Sequence, residues 1–124
     1  MIKDKKYDLE DRLIDFAVVI INFVEKLPNT KSANHLGGQI LRSGTSPSLN
    51  YGEARSAESR NDFIHKMKVC LKELRESYNC LHILHRAGIY ESEELIKSLI
   101  KECDELISIF VKSISTASTK KEDK

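Results

Sequence analysis

Apolar residues recur at intervals of three and four positions in four long segments of this chain, a pattern typical of amphipathic α-helices. The segments cover residues 8–27, 31–56, 59–87 and 92–117. Two prolines and five glycines in 124 residues provide little of the turn material that a fold of many short strands needs. The pattern therefore predicts an all-α chain whose four helices form an up-down-up-down four-helix bundle.

The ends of the predicted helices carry recognisable capping residues. Each predicted start has a side-chain oxygen that can accept a hydrogen bond from the first helical turn. These residues are Asp8, Thr30 or Ser32, Ser59 or Asn61, and Ser92. Gly88 follows the third helix at a position where a left-handed C-cap is expected.

Pro47 falls inside the second predicted helix. A proline at such a position removes one backbone hydrogen bond, and its ring clashes with the preceding turn. We expect a kink at Pro47 or two helical halves, and a break into separate elements is the alternative.

One apolar stripe on each predicted helix is expected to form the core. The stripes are Leu9, Leu13, Phe16, Ile20, Phe23 and Leu27; Leu36, Ile40 and Leu41; Phe63, Met67, Leu71, Leu74, Tyr78, Leu81 and Leu84 or His85; and Leu95, Leu99, Cys103, Leu106, Phe110 and Ile114. The first and fourth helices have wider apolar faces than a monomeric bundle requires. The additional residues Ile14, Val18, Ile21 and Ile100 either form a subunit interface or fill a slightly larger core.

The second predicted helix also carries a row of polar side chains at helical spacing. The row consists of Gln39, Ser43, Ser46, Asn50 and Glu53, with Arg42 beside it. Small residues frame the row and allow another backbone to come close. We expect a hydrogen-bond network between packed helices, because buried polar groups need partners. A functional groove is the alternative.

The length and composition describe one folded domain. Hydrophobic residues make up 40% of the chain and charged residues 31%, which is typical of a helix-rich protein rather than a disordered one. We expect an N-terminal arm over residues 1–7, the helical domain over 8–117 and a polar C-terminal tail over 118–124.

The cysteines and the apolar runs indicate the cellular compartment in which we expect the protein. Cys70, Cys80 and Cys103 each lie in an apolar-periodic segment and form no CxxC pair, which favours buried free thiols in a reducing cytosol. The longest apolar run, Phe16–Ile21, is too short to span a bilayer, and the first residues do not read as a secretory signal. We therefore expect a cytoplasmic protein without a membrane partner.

Positive charge is concentrated in the middle of the chain. Residues 31–90 contain nine Lys or Arg against five Asp or Glu, although the whole chain has a formal net charge of only +1. One stripe of the third helix is polar and contains no acid. It consists of His65, Lys68, Lys72, Arg75, Asn79, His82 and Arg86. The stripe is either an ordinary solvated face or a row that contacts phosphates.

Catalytic and metal-binding motifs are absent from the sequence. It contains no phosphate loop, dinucleotide fingerprint or zinc-helix motif. His82 and His85 have a spacing that two metal ligands can use, but no spacing proposes a third ligand. Glu73 and Glu76 are expected to pair with Arg42 across the second and third helices rather than to bind metals. We predict no enzyme, no catalytic residues, no metal and no cofactor.

A resemblance to a known family is carried by several segments. They are Leu27–Pro28, Gln39–Ser46, Asn50–Ala54, Ala57–Ser59, Asp62–Met67, Lys72–Glu76 and Arg86–Gly88. In their order and spacing these segments resemble the 23S rRNA-intervening-sequence family of four-helix-bundle proteins, over about residues 8–115. The chain departs from the family pattern at Pro47, Ser48 and Leu49, where a small apolar run is common.

The resemblance implies a left-handed up-down bundle that assembles into a ring, typically a homopentamer. Some family members are encoded inside insertions in the 23S rRNA gene. A similar bundle serves diversity-generating retroelements as an accessory protein that works with a reverse transcriptase and binds nucleic acid. The implied partners are further copies of the chain, RNA or DNA, and a reverse transcriptase or another protein. No catalysis is implied. The residues that match the family's polar pattern, which we interpret mainly as scaffold, are Gln39, Arg42, Ser43, Ser46, Asn50, Glu53 and Glu76.

Two functional hypotheses follow. In the first, a non-catalytic homo-oligomer binds the backbone of RNA or DNA through the third helix, and the ring multiplies a weak patch. The candidate contacts are His65, Lys68, Lys72, Arg75, His82 and Arg86, extended by Arg42 and Arg60. In the second, the chain is a protein-interaction scaffold whose basic stripe meets acids of a neighbour. Aromatic residues are scarce near the stripe, which favours backbone contact without reading of the bases.

Overall fold

The structure, a computed structural model, describes residues 8–122, with side chains through Thr119. It contains four α-helices: α1 (Leu9–Glu25), α2 (Lys31–Arg55), α3 (Arg60–Arg86) and α4 (Glu93–Glu122). Residues 8–122 contain no β-strand. The prediction of an all-α chain with four main helices is therefore confirmed.

Capping side chains begin each helix where the sequence predicted them. Each accepts a hydrogen bond from a backbone N–H of the first turn, at 3.0–3.3 Å, and the four acceptors are Asp8, Thr30, Ser59 and Ser92. Gly88 ends α3 with a φ of +66°, the left-handed conformation that glycine adopts without steric cost. The N–H of Ile89 then donates to the carbonyl of Leu84 at 3.1 Å, which satisfies one of the last carbonyls of the helix.

The second helix contains Pro47 and is one element. The helix α2 continues through Pro47 without a break, so the predicted helix over 31–56 is confirmed and the alternative of two separate elements is wrong, while a kink at Pro47 stays a prediction. The Pro47 side chain is fully buried, in a helix that packs against both α1 and α3. The helix α4 extends to Glu122, beyond the predicted end at Ala117, because neither glycine nor proline interrupts it. The predicted arm at 1–7, and residues 123–124 of the predicted tail, lie outside the described residues.

Consecutive helices are antiparallel neighbours. Arg55 at the end of α2 donates to Glu10 at the start of α1, with an N···O distance of 2.6 Å. The thiol of Cys80, late in α3, donates to the carbonyl of Leu36, early in α2, at 3.4 Å. His85 near the end of α3 lies 3.8 Å from Glu93 at the start of α4. The helices therefore run up, down, up and down. The left-handed twist and the ring stay predictions.

Among the pairs of helices that contact each other, the first and last helices are the least closely packed. A salt bridge joins them at the surface, where Arg12 donates to Glu102 at 2.7 Å and to Glu105 at 3.1 Å. These carboxylates raise the pKa of Arg12, mainly through the hydrogen bond from Arg12 to Glu102.

The core consists of the predicted stripes, with a few changes. Its fully buried side chains include Leu13, Phe23, Ile40, Met67, Leu74, Leu81, Leu84, Ile96, Leu106 and Phe110. Leu41, which was predicted to help start the apolar face of α2, is 38% exposed. Ile14, Val18 and Ile21 are also exposed, by 42–48%, so they do not fill a larger core within one chain. Ile100 is half-buried.

Candidate nucleic-acid interface

The polar row of α2 meets α3 in separate contacts instead of one continuous network. At the centre, the hydroxyls of Ser43 and Ser77 lie 2.8 Å apart. Towards the end of α2, Lys66 donates to Glu53 at 2.7 Å. The Asn50 amide instead donates to the carbonyl of Ser46, one turn back, at 3.2 Å. Of the predicted row only Ser43 is fully buried, so most of these contacts lie near solvent.

Arg42 is held by two carboxylates of α3. Its guanidinium donates to Glu73 at 2.8 Å and also to Glu76, which confirms the predicted pairing across the two helices. The hydrogen bond to Glu76, followed by that to Glu73, raises the pKa of Arg42. Gln39 accepts a weaker bond from the same group at 3.5 Å. The charge of Arg42 is therefore matched by two carboxylates, and its contact with a phosphate stays a prediction.

The basic stripe of α3 lies on the outside of the chain. His65, Lys68, Lys72, Arg75 and Arg86 are exposed, whereas His82 is half-buried. Among the side chains that the structure describes, those of residues 8–119, none of these forms a salt bridge with an acid. Arg60 is exposed too, but it lies in a different groove, beside Glu58. The stripe therefore has the exposed, uncompensated cations that an anionic ligand can contact.

A groove between α3 and α4 adjoins the first half of this stripe. The three cations Lys68, Lys72 and Arg75 line it together with the apolar side chains of Leu71, Val111 and Ile114 and with Ser115, and its volume is about 520 Å³. Here α4 contributes no acid to the lining. The cations therefore stand beside aliphatic surface.

A second groove, of about 480 Å³, follows along α3 and is lined by Tyr78, Asn79, His82, Ile83 and Arg86. The rings of Tyr78 and His82 meet edge to face, with centroids 4.6 Å apart and an interplanar angle of 67°. Ile83 is 52% exposed. This groove combines aromatic, amide, aliphatic and cationic groups on one face.

Comparisons with protein families and with solved structures both give matches to this chain. The family model described as 23S rRNA-intervening sequence protein matches residues 5–112. The chain belongs to this family. A crystal structure from Bacteroides thetaiotaomicron VPI-5482, of a protein with unknown function from the S23 ribosomal protein family, is similar to it with 36% sequence identity and a TM-score of 0.79. The similarity covers 86% of this chain and 97% of that one. No curated protein matches.

Some residues of the site were missed by the sequence reasoning. Ser77 was not identified as the partner of Ser43. It lies four residues after Glu73, on the same face of α3, so the predicted contact between Glu73 and α2 could have indicated it. Lys66 was not recognised as the partner of Glu53. The aliphatic lining from α4 could not be found from either helix alone, since it depends on how the two helices pack.

The thiols offer no reactive group at this interface. Burial raises the pKa of Cys70 and Cys103 to about 12 and that of Cys80 to about 11. All three are free and buried, as predicted. Cys70 donates to the backbone carbonyl of Pro47, Cys80 to that of Leu36 and Cys103 to that of Leu74. Their role is therefore in packing, because a nucleophilic cysteine needs an exposed thiolate.

Neither a metal cluster nor a membrane span is found in the part of the chain that the structure describes. Between residues 8 and 122, no three His, Cys, Asp or Glu side chains are grouped so that they could hold a metal ion. None of the four helices, within that same range, is both long and apolar enough to cross a membrane.

Proposed function

We propose that this chain is a non-catalytic, homo-oligomeric protein that binds the phosphate backbone of RNA or DNA through α3. The observation that carries the proposal is the row of Lys68, Lys72 and Arg75, which are exposed and free of salt bridges to acids among residues 8–119. Two of the three acids of the same helix, Glu73 and Glu76, face α2 and are paired with Arg42, and the third, Asp62, lies in the first turn. The solvent-exposed face of α3 is therefore cationic, whereas the charges of Glu73 and Glu76 on the face towards α2 are paired with that of Arg42.

The row has the dimensions of a few phosphate contacts. Lys68 and Arg75 are seven residues apart, or about 10 Å along the helix axis. Arg86 is a further 11 residues along, or about 16 Å. So few cations bind a polyanion weakly in a single chain, because each phosphate contact adds only one released counterion.

Assembly of several copies supplies the affinity that one chain lacks. Ile14, Val18 and Ile21 form an exposed apolar stripe on α1, which is the kind of surface that subunits bury. We interpret it as part of the interface of a homo-oligomer, and the family resemblance implies a ring of five left-handed bundles. Repeated basic rows then raise the effective concentration of cations along one strand.

The competing function is a protein-interaction scaffold in which the same cations meet an acidic partner, such as a neighbouring subunit, a reverse transcriptase or another protein. Glu94 and Asp104 on α4 are exposed acids that a neighbouring copy could offer. The aliphatic lining of the α3–α4 groove is the observation that favours this alternative, since apolar surface beside charge is common in protein interfaces.

A charge-reversal experiment separates the two functions. The test variant is Lys68→Glu with Lys72→Glu. The matched control is Lys26→Glu with Lys31→Glu, which changes the net charge equally at two exposed lysines outside α3. Binding of a fluorescent oligonucleotide is followed by anisotropy at low salt, and the mass of each variant by light scattering.

The proposal predicts that the test variant loses at least about tenfold in affinity, because two contacts change from attraction to repulsion, while its mass stays that of the wild type. The control keeps most of its affinity. Loss of assembly in the test variant supports the scaffold function instead, and unchanged affinity with unchanged mass removes the row from any binding role.

A further inference from the structure

The face that carries the basic row is not uniformly cationic. Leu71, Val111 and Ile114 line the α3–α4 groove next to the three cations. Val111 is 42% exposed, so part of this surface is open to a ligand. A ligand that presents only charge gains nothing from the aliphatic part of the groove.

Duplex and single-stranded nucleic acids differ in what they present to such a surface. A duplex keeps its bases stacked inside and offers phosphates at high linear density. A single strand offers fewer phosphates, but its unpaired bases can leave the stack and bind against side chains. The aliphatic lining therefore contributes to binding of a single strand and not to binding of a duplex backbone.

The second groove contains the groups that recognise a base. Tyr78 and His82 provide ring surface at its side, and bases bind to aromatic side chains irrespective of sequence. Asn79 is exposed and forms no hydrogen bond within residues 8–122, so its amide can donate to and accept from a base edge. Arg86 lines the end of the groove.

The two grooves follow one another along α3. Asn79 follows Arg75 by four residues, which puts it on the same helix face one turn further on. A strand whose phosphates contact Lys68, Lys72 and Arg75 is then led towards the second groove, where Arg86 offers one more phosphate contact.

From this arrangement we infer that the ligand is single-stranded nucleic acid and that the groove of Tyr78, Asn79, His82, Ile83 and Arg86 holds an unpaired base. This inference rests on the proposed function and names its substrate class. The groove accepts more than one kind of base, because ring contacts depend little on the base identity and the Asn79 amide can either donate to or accept from a base edge.

The test uses three labelled probes of about 12 nucleotides, within the range that single-strand sites cover. They are a single strand, the same sequence as a duplex, and a strand of equal length whose positions lack bases. The base-groove variant is Asn79→Ala with His82→Ala. Its matched control is Asn22→Ala with His35→Ala, the same residue types at exposed positions of α1 and α2.

The wild type is expected to bind the single strand about tenfold more tightly than the strand without bases, the effect of one or two bound bases. It also binds the single strand more tightly than the duplex, although the duplex has the higher charge density. The base-groove variant loses this preference by about fivefold or more, in the range of one bound base, because its affinity for the single strand falls further than its affinity for the base-free strand. The control variant behaves as the wild type.

Equal affinity for the single strand and the base-free strand overturns the inference, as does tighter binding of the duplex. In both cases the Lys68→Glu and Lys72→Glu variant still tests the proposed function separately, because that variant weakens all three probes if the row contacts phosphates. Absence of binding to every probe overturns both. If the base-groove variant unfolds at a lower temperature than the wild type, the exposed substitution Asn79→Ala alone is measured for the same loss of preference.

Discussion

The hydroxyls of Ser43 on α2 and Ser77 on α3 lie 2.8 Å apart, and neither side chain is exposed to solvent. Each serine is the partner that the other needs, since a buried hydroxyl without a hydrogen bond is costly. The pair lies beside the Arg42 contacts with Glu73 and Glu76. Together these contacts fix the register of α2 on α3, and so the direction in which the basic row faces.

The serine pair predicts a non-additive effect on stability. Replacing Ser43 or Ser77 alone by Ala leaves one buried hydroxyl without its partner, and we expect a loss of about 1–2 kcal/mol in the free energy of unfolding. Replacing both removes the unsatisfied group, so the double variant loses less than the sum of the two. Denaturant unfolding of the four proteins measures this, and strictly additive losses would contradict the account.

Gly44 predicts a steric effect on the packing of α1 against α2. A Cβ atom at this position would lie 2.9 Å from two carbon atoms of Ile20. We expect Gly44→Ala to lower the free energy of unfolding by about 1–3 kcal/mol, the usual cost of overpacking.

Gly52 is the matched control in the same helix, because a Cβ there meets nothing within 4 Å. Gly52→Ala is expected to be neutral or to stabilise by about 0.5–1 kcal/mol, since alanine favours the helix. Thermal unfolding compares the two variants. Similar changes in both would show that the Gly44 contact has no special importance.

Most of the fold could be predicted from the sequence, because its signals are local. The periodic apolar stripes placed the four helices, and polar caps such as Ser59 fixed their starts. The helix through Pro47 was predicted, but its sequence alone left a break open, because an internal proline removes a backbone hydrogen bond and clashes with the preceding turn. The exposure of Leu41 could not be predicted, because apolar periodicity does not show how much of a helix face the neighbouring helices cover.

The candidate site was predictable only in part. The acid-free stripe is visible in the spacing of Lys68, Lys72 and Arg75, and the pairing of Arg42 with α3 was expected from charge. The α3–α4 groove depends on the approach of α4, which brings Val111 beside Lys68 and Lys72. That proximity is a property of the packed chain and has no counterpart in local sequence.

The buried cysteines predict a loss of stability at alkaline pH. In the unfolded chain a thiol ionises near its ordinary pKa of 9.0, whereas in the folded chain burial raises the pKa of Cys70 and Cys103 to about 12 and that of Cys80 to about 11. The stabilisation is fully present below pH 9 and is lost as pH rises through the folded pKa values. Each thiol that ionises only in the unfolded state lowers the free energy of unfolding by about 1.4 kcal/mol per pH unit.

Denaturant unfolding measured at several pH values above 9, in the wild type and in Cys103→Ala, checks this. The variant is expected to be less stable at neutral pH because it leaves a cavity, but to depend less steeply on alkaline pH. An identical pH slope in both proteins would contradict a buried, neutral thiol at this position.

The exposed stripe on α1 predicts an effect on assembly. Val18→Glu with Ile21→Glu places charges on a surface that we propose the subunits bury, and such charges strongly disfavour association. Light scattering should then give the mass of a single chain, 14.2 kDa, in place of the larger wild-type mass. The control is Ile83→Glu, an equally apolar and exposed position on α3. A wild type that is itself monomeric at micromolar concentration would contradict the assembly proposal.

The central claim is that Lys68, Lys72 and Arg75 contact the phosphates of a single strand, and the salt dependence of binding tests it most directly. The logarithm of the affinity is measured against the logarithm of salt concentration for the wild type and for the variant with all three residues replaced by Ala. Each lost contact should reduce the slope by about 0.7 on a single strand, so the variant should be shallower by about 2. Replacing Lys26 and Lys31 by Ala should leave the slope unchanged. An equal slope in the wild type and the triple variant, whatever the change in affinity, would contradict the claim.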